Sequence, residues 1–556
     1  MTSAAALDVE ATAIAKPAHL GSVYTRRWAA ELVLDLAGYT SDKPLHEQRL
    51  LEPACGDGAF LGPVVERLIA AARAAGAHVA TARDAIRAYD LDPAAVAASR
   101  CLVTRLLVTH AHMEQKAAAT LARHWIRRRD LLLEPPRPGW FHYATGNPPY
   151  VRLEDVPVSS SLAYRARWDA MTGRADLFIG FFQAGLRALR PDGVLAYICA
   201  DRWMRAQYGA RLRDIIATGY SMEAIVTLHD ADAFERRVSA YPAIVTLRRA
   251  PQGSTLVVDA DGDFATHGAR HLVARHDGPG PRRAFRGPGY RAAWAARWPS
   301  GSPGWPSGSP SRVALVADLE ARLAPLQDAA TGVRIGIGIA TGLDRAFITD
   351  TIDGVEPERL LPLVMGDDVD GTAARWSGRY LLNPWDDGGR LVDLRCWPGL
   401  AARLGQHEPS LRGRHVAQRR PDIWWRTIDK VVPHLAGAAK LLLPDLRPRV
   451  QPALETDGRY PHHNLFWLTP GAWDIEVLGG ILLSDVATMF VETYSPRMAG
   501  GALRVTAQYL RRIRVPDLGS LDGEVKDSLS AAFLAGDREA ATEAALAAYR
   551  LRRLPT

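Results

Sequence analysis

Residues 49–76 read RLLEPACGDGAFLGPVVERLIAAARAAG. Leu50 and Leu51 end a strand, Glu52 to Gly58 form a glycine-containing turn, and Phe60 to Ala74 continue as a helix. Gly56 and Gly58 let the backbone pass close to a ligand, and the start of the helix presents unpaired N–H groups toward the same place. The stretch AIRAYDLDP at 85–93 supplies a second strand tipped by Asp90. Strand, glycine turn, helix and acid-tipped strand make half of a doubly wound nucleotide-binding sheet. Asp90 is an acceptor-only group, as ribose hydroxyls require. The interval from Gly56 to Asp90 exceeds the roughly 20 residues of the dinucleotide fingerprint, so an ordinary NAD site fits poorly. Taken alone, the pair reads equally as a tight turn and a solvated acid.

The flanking sequence extends the pattern. Upstream, GSVYTRRWAAELVLDLAGYT (21–40) carries Trp28, Leu32, Val33, Leu36 and Ala37 at helical spacing, with Thr25 in the N-cap position. Downstream, IRRRDLLLEPP (126–136) puts Asp130 at a strand end, where it either caps a turn or accepts from an exocyclic amine. Next comes FHYATGNPPY (141–150), a buried strand that Gly146 opens into a loop stiffened by Pro148 and Pro149. Pro148 disfavours the α region at Asn147, which turns the amide and the nearby carbonyls outward. Neither proline has an N–H, so this corner is rich in acceptors and poor in donors. It suits a planar amino group that must lose delocalisation, and Tyr150 adds a flat face for a ring. By itself the corner is also a plain Pro-Pro turn. Then a helix within ADLFIGFFQAGLRAL stops at Pro191-Asp192-Gly193 and leads to a buried strand. The strands EAIVTLH (223–229) and AYPAIVTLRR (240–249) flank Phe234-Glu235-Arg236-Arg237, giving a seven-stranded α/β sheet that ends in a hairpin.

The chain has 556 residues, too many for one core, and its composition is globular, with 47% hydrophobic and 23% charged residues. A net charge of +7 is compatible with a polyanionic partner and equally with a solvated basic surface. Cys55, Cys101, Cys199 and Cys396 form no CxxC pair, so neither a disulfide framework nor a zinc site is expected, and a cytoplasmic location fits. The first 18 residues carry Asp8 and Glu10 where a signal peptide needs cations, and read as a disordered tail. No run of about 18 apolar residues occurs, so no membrane span is expected.

In their order, VYT, LEPACGDGAFL, YDLDP, RRDLL and GNPPY resemble the S-adenosylmethionine-dependent N6-adenine DNA methyltransferases of the gamma, TaqI-like class in type II restriction–modification systems. That resemblance implies a Rossmann-like class I methyltransferase fold, S-adenosyl-L-methionine as cofactor and methyl transfer to N6 of an adenine flipped out of double-stranded DNA. It implies cofactor contacts at Tyr24 and Thr25, at Glu52, Pro53, Ala54, Cys55, Gly56 and Gly58, at Asp90 and Leu91 for the ribose, and at Asp130 and Leu131 beside the adenine ring. Asn147, Pro148, Pro149 and Tyr150 become catalytic, and Phe234 stacks on the target base. Two departures stand out: Arg26 where the family usually has Pro, and His142 where it often has Asp. The resemblance further implies a monomer with a cognate restriction endonuclease encoded separately. The same corner also serves methyltransferases acting on RNA, protein glutamine or cytosine N4, and a catalytically idle DNA-binding subunit is the reading from another class.

The remainder divides into 251–312, a low-complexity linker with WPSGSPG followed by WPSGSPS, and 313–556, an α+β target-recognition domain following the catalytic domain at 19–250. Gly336, Gly338 and Gly342 imitate a second nucleotide loop, but Ile335, Ile337 and Ile339 alternate as in a close-packed strand. RRPDIWWRTIDK, KLLLPDLRP and the segment 494–516 resemble, more loosely, the recognition half of adenine methyltransferases. Arg412, Arg414, Arg419 and Arg420 adjoin Trp424 and Trp425, either a phosphate-anchoring patch or a solvated face over core tryptophans. Pro516-Asp517 with Glu524-Val525-Lys526 imitates a nuclease motif at too short a spacing. His462-His463 lacks partners at metal spacing and reads as surface, so no metal is expected.

Overall fold

The computed structural model describes residues 25–235, 241–278, 282–298, 301, 304–495 and 502–555. The chain divides after Trp305 into two compact units. The first is built on a ten-stranded sheet. Its strands are β1 (Leu50–Glu52), β2 (Ile86–Asp90), β3 (Ile126–Arg128), β4 (Phe141–Gly146), β5 (Leu189–Ala200), β6 (Ser221–Thr227), β7 (Pro242–Arg248), β8 (Thr255–Ala260), β9 (Phe285–Gly287) and β10 (Tyr290–Ala295). Their order is β3-β2-β1-β4-β5-β7-β6-β8-β10-β9. The first five neighbours run parallel, while β7 is antiparallel to both β5 and β6.

This order explains the sequence pattern. Parallel strands are covered on both faces, so β1 is buried throughout, with Leu50 and Leu51 apolar ahead of Glu52, and the greater part of β5 is continuously apolar and buried. Helices α1 (Arg27–Leu36), α2 (Leu61–Ala74), α3 (Pro93–Ala111) and α4 (Gln115–Trp125) lie in the first half, and α1, α2 and α4 turn alanine- and leucine-rich faces into a core shared with β1, β2 and β4. The expected turn at Pro191-Asp192-Gly193 is a bulge inside β5, with Asp192 at φ +62°, and the preceding helix ends earlier, at Ala188.

Seven strands were expected and ten are present. Residues 255–295, read as linker, supply the extra three. Val257 and Val258 pair β8 in parallel with β6, and β10 then pairs antiparallel with β8. The alternation in TLVVDA and YRAAWA is too short to stand out beside a glycine- and proline-rich neighbourhood, yet it suffices to extend an edge. The repeat at 298–311 straddles the division between the units, and its second copy runs into the helix Pro310–Arg322.

The second unit contains a six-stranded sheet with Arg334–Ile337, Leu465–Thr469 and Lys440–Pro444 on one side, and a four-stranded sheet through Leu360–Val364. Helices Ile475–Leu483, Asp485–Tyr494, Gly523–Ala535 and Arg538–Ala548 pack on its core. The glycines at 336 and 338 have a steric reason. A Cβ at Gly336 would enter the Trp467 indole, and one at Gly338 would meet the His462 carbonyl. Among the described residues no helix is long and apolar enough to cross a membrane, and all four cysteines are free.

Candidate active site

The strand order reverses between β1 and β4, and ligand crevices in open α/β sheets lie where such a reversal separates the loops at the carboxyl ends of strands. Here the loop after β1 carries the glycines. Gly56 has φ +52° and Gly58 φ +102°, and a Cβ at Gly58 would stand 2.8 Å from Leu102 Cδ2. Gly56 N donates to Asp90 Oδ2 at 2.9 Å, and Asp92 N donates to Asp90 Oδ1 at 2.9 Å. Ser99 Oγ donates to the Gly56 carbonyl at 2.8 Å. The acid at the tip of β2 therefore shapes the glycine loop, and each of its oxygens keeps a further lone pair for another donor.

Glu52 is 1% exposed, and its Oε2 has no hydrogen-bond partner among the described residues. Burial, with the negative charges of Asp90 and Asp57 added, pushes its carboxyl well above the ordinary value. The Cys55 thiol is likewise pushed up by burial, which leaves it a poor nucleophile. Pro53 and Glu52 lie against Gly146, where a Cβ would sit 3.4 Å from Pro53 Cδ. The loop after β1 and the corner after β4 are thus packed on each other.

That corner is joined to the N-terminal segment. Asn147 Nδ2 donates to Thr25 Oγ1 at 3.1 Å. Thr25, expected to cap α1, makes no such bond; the cap position is Arg26. Thr25 forms a β-bridge with Phe234, Arg26 N donates to Ala233 O at 2.9 Å, and the Arg26 side chain reaches the Phe234 carbonyl and Asp232. The departure at Arg26 ties this segment to the loop after β6. Tyr24 and the basic turn Arg236–Arg237 lie outside the described residues.

Tyr150 packs between two aromatic rings. Its centroid is 6.3 Å from Phe234 and 6.4 Å from Phe178, and its hydroxyl is buried without a partner among the described residues. Phe234 is 4% exposed and meets Tyr150 edge to face at 84°. It is part of the core of the first unit.

Asp130 caps a turn, the first of its two anticipated roles. Oδ1 accepts from Leu132 N and Leu133 N at 2.9 and 3.2 Å, which is the turn cap, and Oδ2 accepts from the Tyr164 hydroxyl at 2.7 Å. Leu131 is buried at 2% and Leu91 is 51% exposed, so of the two it is Leu91 that offers apolar surface. Tyr164 and Phe178 were missed in the sequence. Tyr164 sits in the short helix Val158–Arg167 with no motif around it, whereas Phe178, in ADLF at the start of the helix expected before β5, could have been suspected as a packing partner.

In the second unit the predicted patch separates by role. Arg414 donates to the carbonyls of Leu411, Thr341, Trp424 and Arg426 and is structural. Trp424 is buried, and Trp425 donates to Val392 O at 3.2 Å. Trp424 belongs to the core, and Trp425, half-buried, packs against it. Arg412 and Arg420 are exposed in surface ion pairs with Glu408 and Asp422. Arg419 is exposed with no ion pair among the described residues. The reading of His462-His463 as surface fails for His462, which is 2% exposed.

A glycine loop, an acid-tipped second strand and an acceptor-rich corner around one switch point define an α/β group-transfer enzyme. The comparisons specify which. Residues 112–234 match the Eco57I restriction-modification methylase family. The type II methyltransferase M.PaeR7I of Pseudomonas aeruginosa is 39% identical over 541 residues, spanning 96% of this chain and 92% of that protein. M.XhoI of Xanthomonas vasicola is 38% identical over 546 residues, 96% of this chain and 98% of its own. M.BstVI of Geobacillus stearothermophilus is 34% identical over 522 residues, 92% of each. The chain belongs to the type II restriction-modification methyltransferase family, and it is a DNA methyltransferase.

Proposed function

We propose that this enzyme methylates N6 of an adenine flipped out of duplex DNA, with S-adenosyl-L-methionine as the methyl donor. The observation that carries this reading is the bond from Asn147 Nδ2 to Thr25 Oγ1. It turns the amide nitrogen toward Thr25 and the amide oxygen the other way, at a corner whose two prolines add carbonyls and no N–H. The bound donor supplies an electrophilic methyl on a sulfonium. The adenine amino group is a poor nucleophile because its lone pair is shared with the ring. Asn147 Oδ1 and the Pro148 carbonyl accept hydrogen bonds from its two N–H groups and favour a pyramidal nitrogen, an interaction strongest in the transition state, and one of the two protons leaves once the nitrogen carries the methyl. Tyr150 supports the ring of the extruded base, at a flipping cost of a few kcal/mol.

The donor set fits such a cofactor. Glu52 brings a buried carboxyl group whose Oε2 has no partner among the described residues, Gly56 and Gly58 bring the backbone close, and Asp90 has lone pairs for ribose hydroxyls. In this reading Thr25 with Tyr24, then Pro53, Ala54 and Cys55, border the methionine part, Leu91 lies along the ribose, and Asp130 with Leu131 adjoins the adenine. The second unit serves target recognition, with Arg412, Arg419 and Arg420 on phosphates. The modification protects DNA from a separately encoded endonuclease, the protein acting as a monomer. Supplying labelled donor with duplex DNA and identifying the methylated nucleoside tests the reading. N6-methyladenine supports it, and N4-methylcytosine contradicts it.

A further inference from the structure

The second unit holds a cluster that methyl transfer does not use. Asp344, His462 and His463 bring one donor atom each to within 4.8 Å of one another. The backbone fixes their meeting. Ile339 bridges His462 in parallel, Ile339 N donates to Pro461 O at 2.9 Å, and His463 N donates to Ile339 O at 3.1 Å. The turn that ends at Asp344 is thereby pinned beside the two histidines, and Gly338 permits the close approach.

The side chains are aimed. His462 Nδ1 is 3.1 Å from Asn464 Oδ1, an oxygen that also accepts from Gly366 N at 3.2 Å. An amide oxygen only accepts, so Nδ1 carries the hydrogen and Nε2 presents its lone pair. That lone pair lies 3.2 Å from Asp344 Oδ2 and 2.9 Å from His463 Nδ1. Asp344 Oδ1 is held by the Thr341 hydroxyl at 2.5 Å, which leaves Oδ2 toward the imidazoles. With Nε2 as the acceptor, His463 Nδ1 is the donor across that 2.9 Å, and an ion taking the place of this one proton makes ligands of all three atoms. Ligands about 2.0–2.2 Å from a zinc-class ion stand roughly 3–3.5 Å apart; His462 Nε2 stands at close to this spacing from each of its two neighbours, and all three donor atoms lie within 4.8 Å. An orienting acceptor behind the buried histidine is the usual support of a metal ligand.

We propose that Asp344, His462 and His463 bind one divalent transition-metal ion of the zinc class, two imidazoles and a carboxylate being the donors such ions favour. The ion staples the 339–344 segment to 461–464. Asp344 and His463 are exposed, so it exchanges with solvent and its loss leaves the core intact.

The test uses the full-length protein, stripped with chelator and titrated with ZnCl2 by calorimetry, with CoCl2 followed by its visible bands. One ion per chain is expected, together with a raised unfolding temperature. His463→Ala and Asp344→Ala, both at exposed positions, weaken binding at least tenfold and abolish the thermal shift, while circular dichroism shows them folded. Asn464→Leu, which removes the orienting oxygen, weakens it by about 10–100-fold. Absence of stoichiometric binding overturns the proposal, since the cluster then holds a proton alone. So does binding that both exposed-site substitutions leave unchanged, which assigns the ion to another place such as the exposed Cys101 or Cys396.

Discussion

Asn147 Nδ2 and Thr25 Oγ1, 122 positions apart in the chain, meet at 3.1 Å. The N-terminal segment therefore reaches across the sheet to set the rotation of the amide at the end of β4. A neutral hydrogen bond of this kind contributes about 1 kcal/mol, and an amide held less firmly presents the wrong group to an amine part of the time. Thr25→Val keeps the shape and removes the acceptor. Its kcat should fall about fivefold to tenfold, with Thr25→Ser close to wild type and donor binding little changed in a titration. A Val variant of undiminished kcat would detach Thr25 from the site.

The Glu52 carboxyl has a pH signature. Its folded pKa lies above the ordinary 4.5, so the folded protein holds that proton more tightly than the unfolded chain. The stability that goes with the proton is complete below 4.5 and is lost as pH rises through the raised value. Glu52→Gln has nothing to lose there. Urea midpoints of the free enzyme measured across this range should show the variant gaining on wild type as pH rises, while its affinity for the donor drops. Parallel profiles would mean that Glu52 is charged in the fold.

Arg412, Arg419 and Arg420 are exposed, and surface ion pairs such as those of Arg412 and Arg420 contribute about 0–1 kcal/mol, so little opposes their release to phosphate. Replacing each by Ala should lower the slope of log affinity against log salt by about one per contact, measured by fluorescence anisotropy with duplex DNA. An unchanged slope would remove the patch from the interface. Arg414→Ala belongs to another category and should lower stability, because it abandons the carbonyls that close its loop.

Lys440 and Glu455 form an ion pair at 2.8 Å with both side chains fully buried. Lys440→Met leaves the buried carboxylate with only its longer pair to Arg459, Nη1 to Oε1 at 3.9 Å, at about 3 kcal/mol, the low end for a broken buried pair. Lys440→Met with Glu455→Gln should recover most of the loss in urea denaturation, since Gln keeps an acceptor for the N–H groups of Asp457 and Arg459. Equal instability of the single and double variants would assign the loss to packing alone.

The crevice was legible because its chemistry is local. Glu52 to Gly58, Asp90 and Asn147 to Tyr150 each lie at a strand end, and strand ends are written in short runs. What escaped depends on distant partners. Phe234 could be suspected of stacking, but only the sheet shows that Thr25 and Tyr150 close over it. Trp424 and Trp425 have the composition of a nucleic-acid patch, and their burial comes from segments far along the chain. Strands β8 to β10 were hidden by the opposite effect, weak alternation beside a conspicuous repeat. His462-His463 has no ligand spacing within its own segment, and its third partner arrives from 118 positions earlier, at Asp344.

The most direct measurement is nucleoside mass spectrometry of duplex DNA treated with wild-type enzyme or Asn147→Ala and isotopically labelled S-adenosyl-L-methionine. Methyl transfer at the Asn147 corner predicts label on N6 of adenine with wild type, and its loss in the variant while the donor still binds. Label on cytosine, or an Asn147→Ala enzyme that continues to methylate adenine, would contradict it.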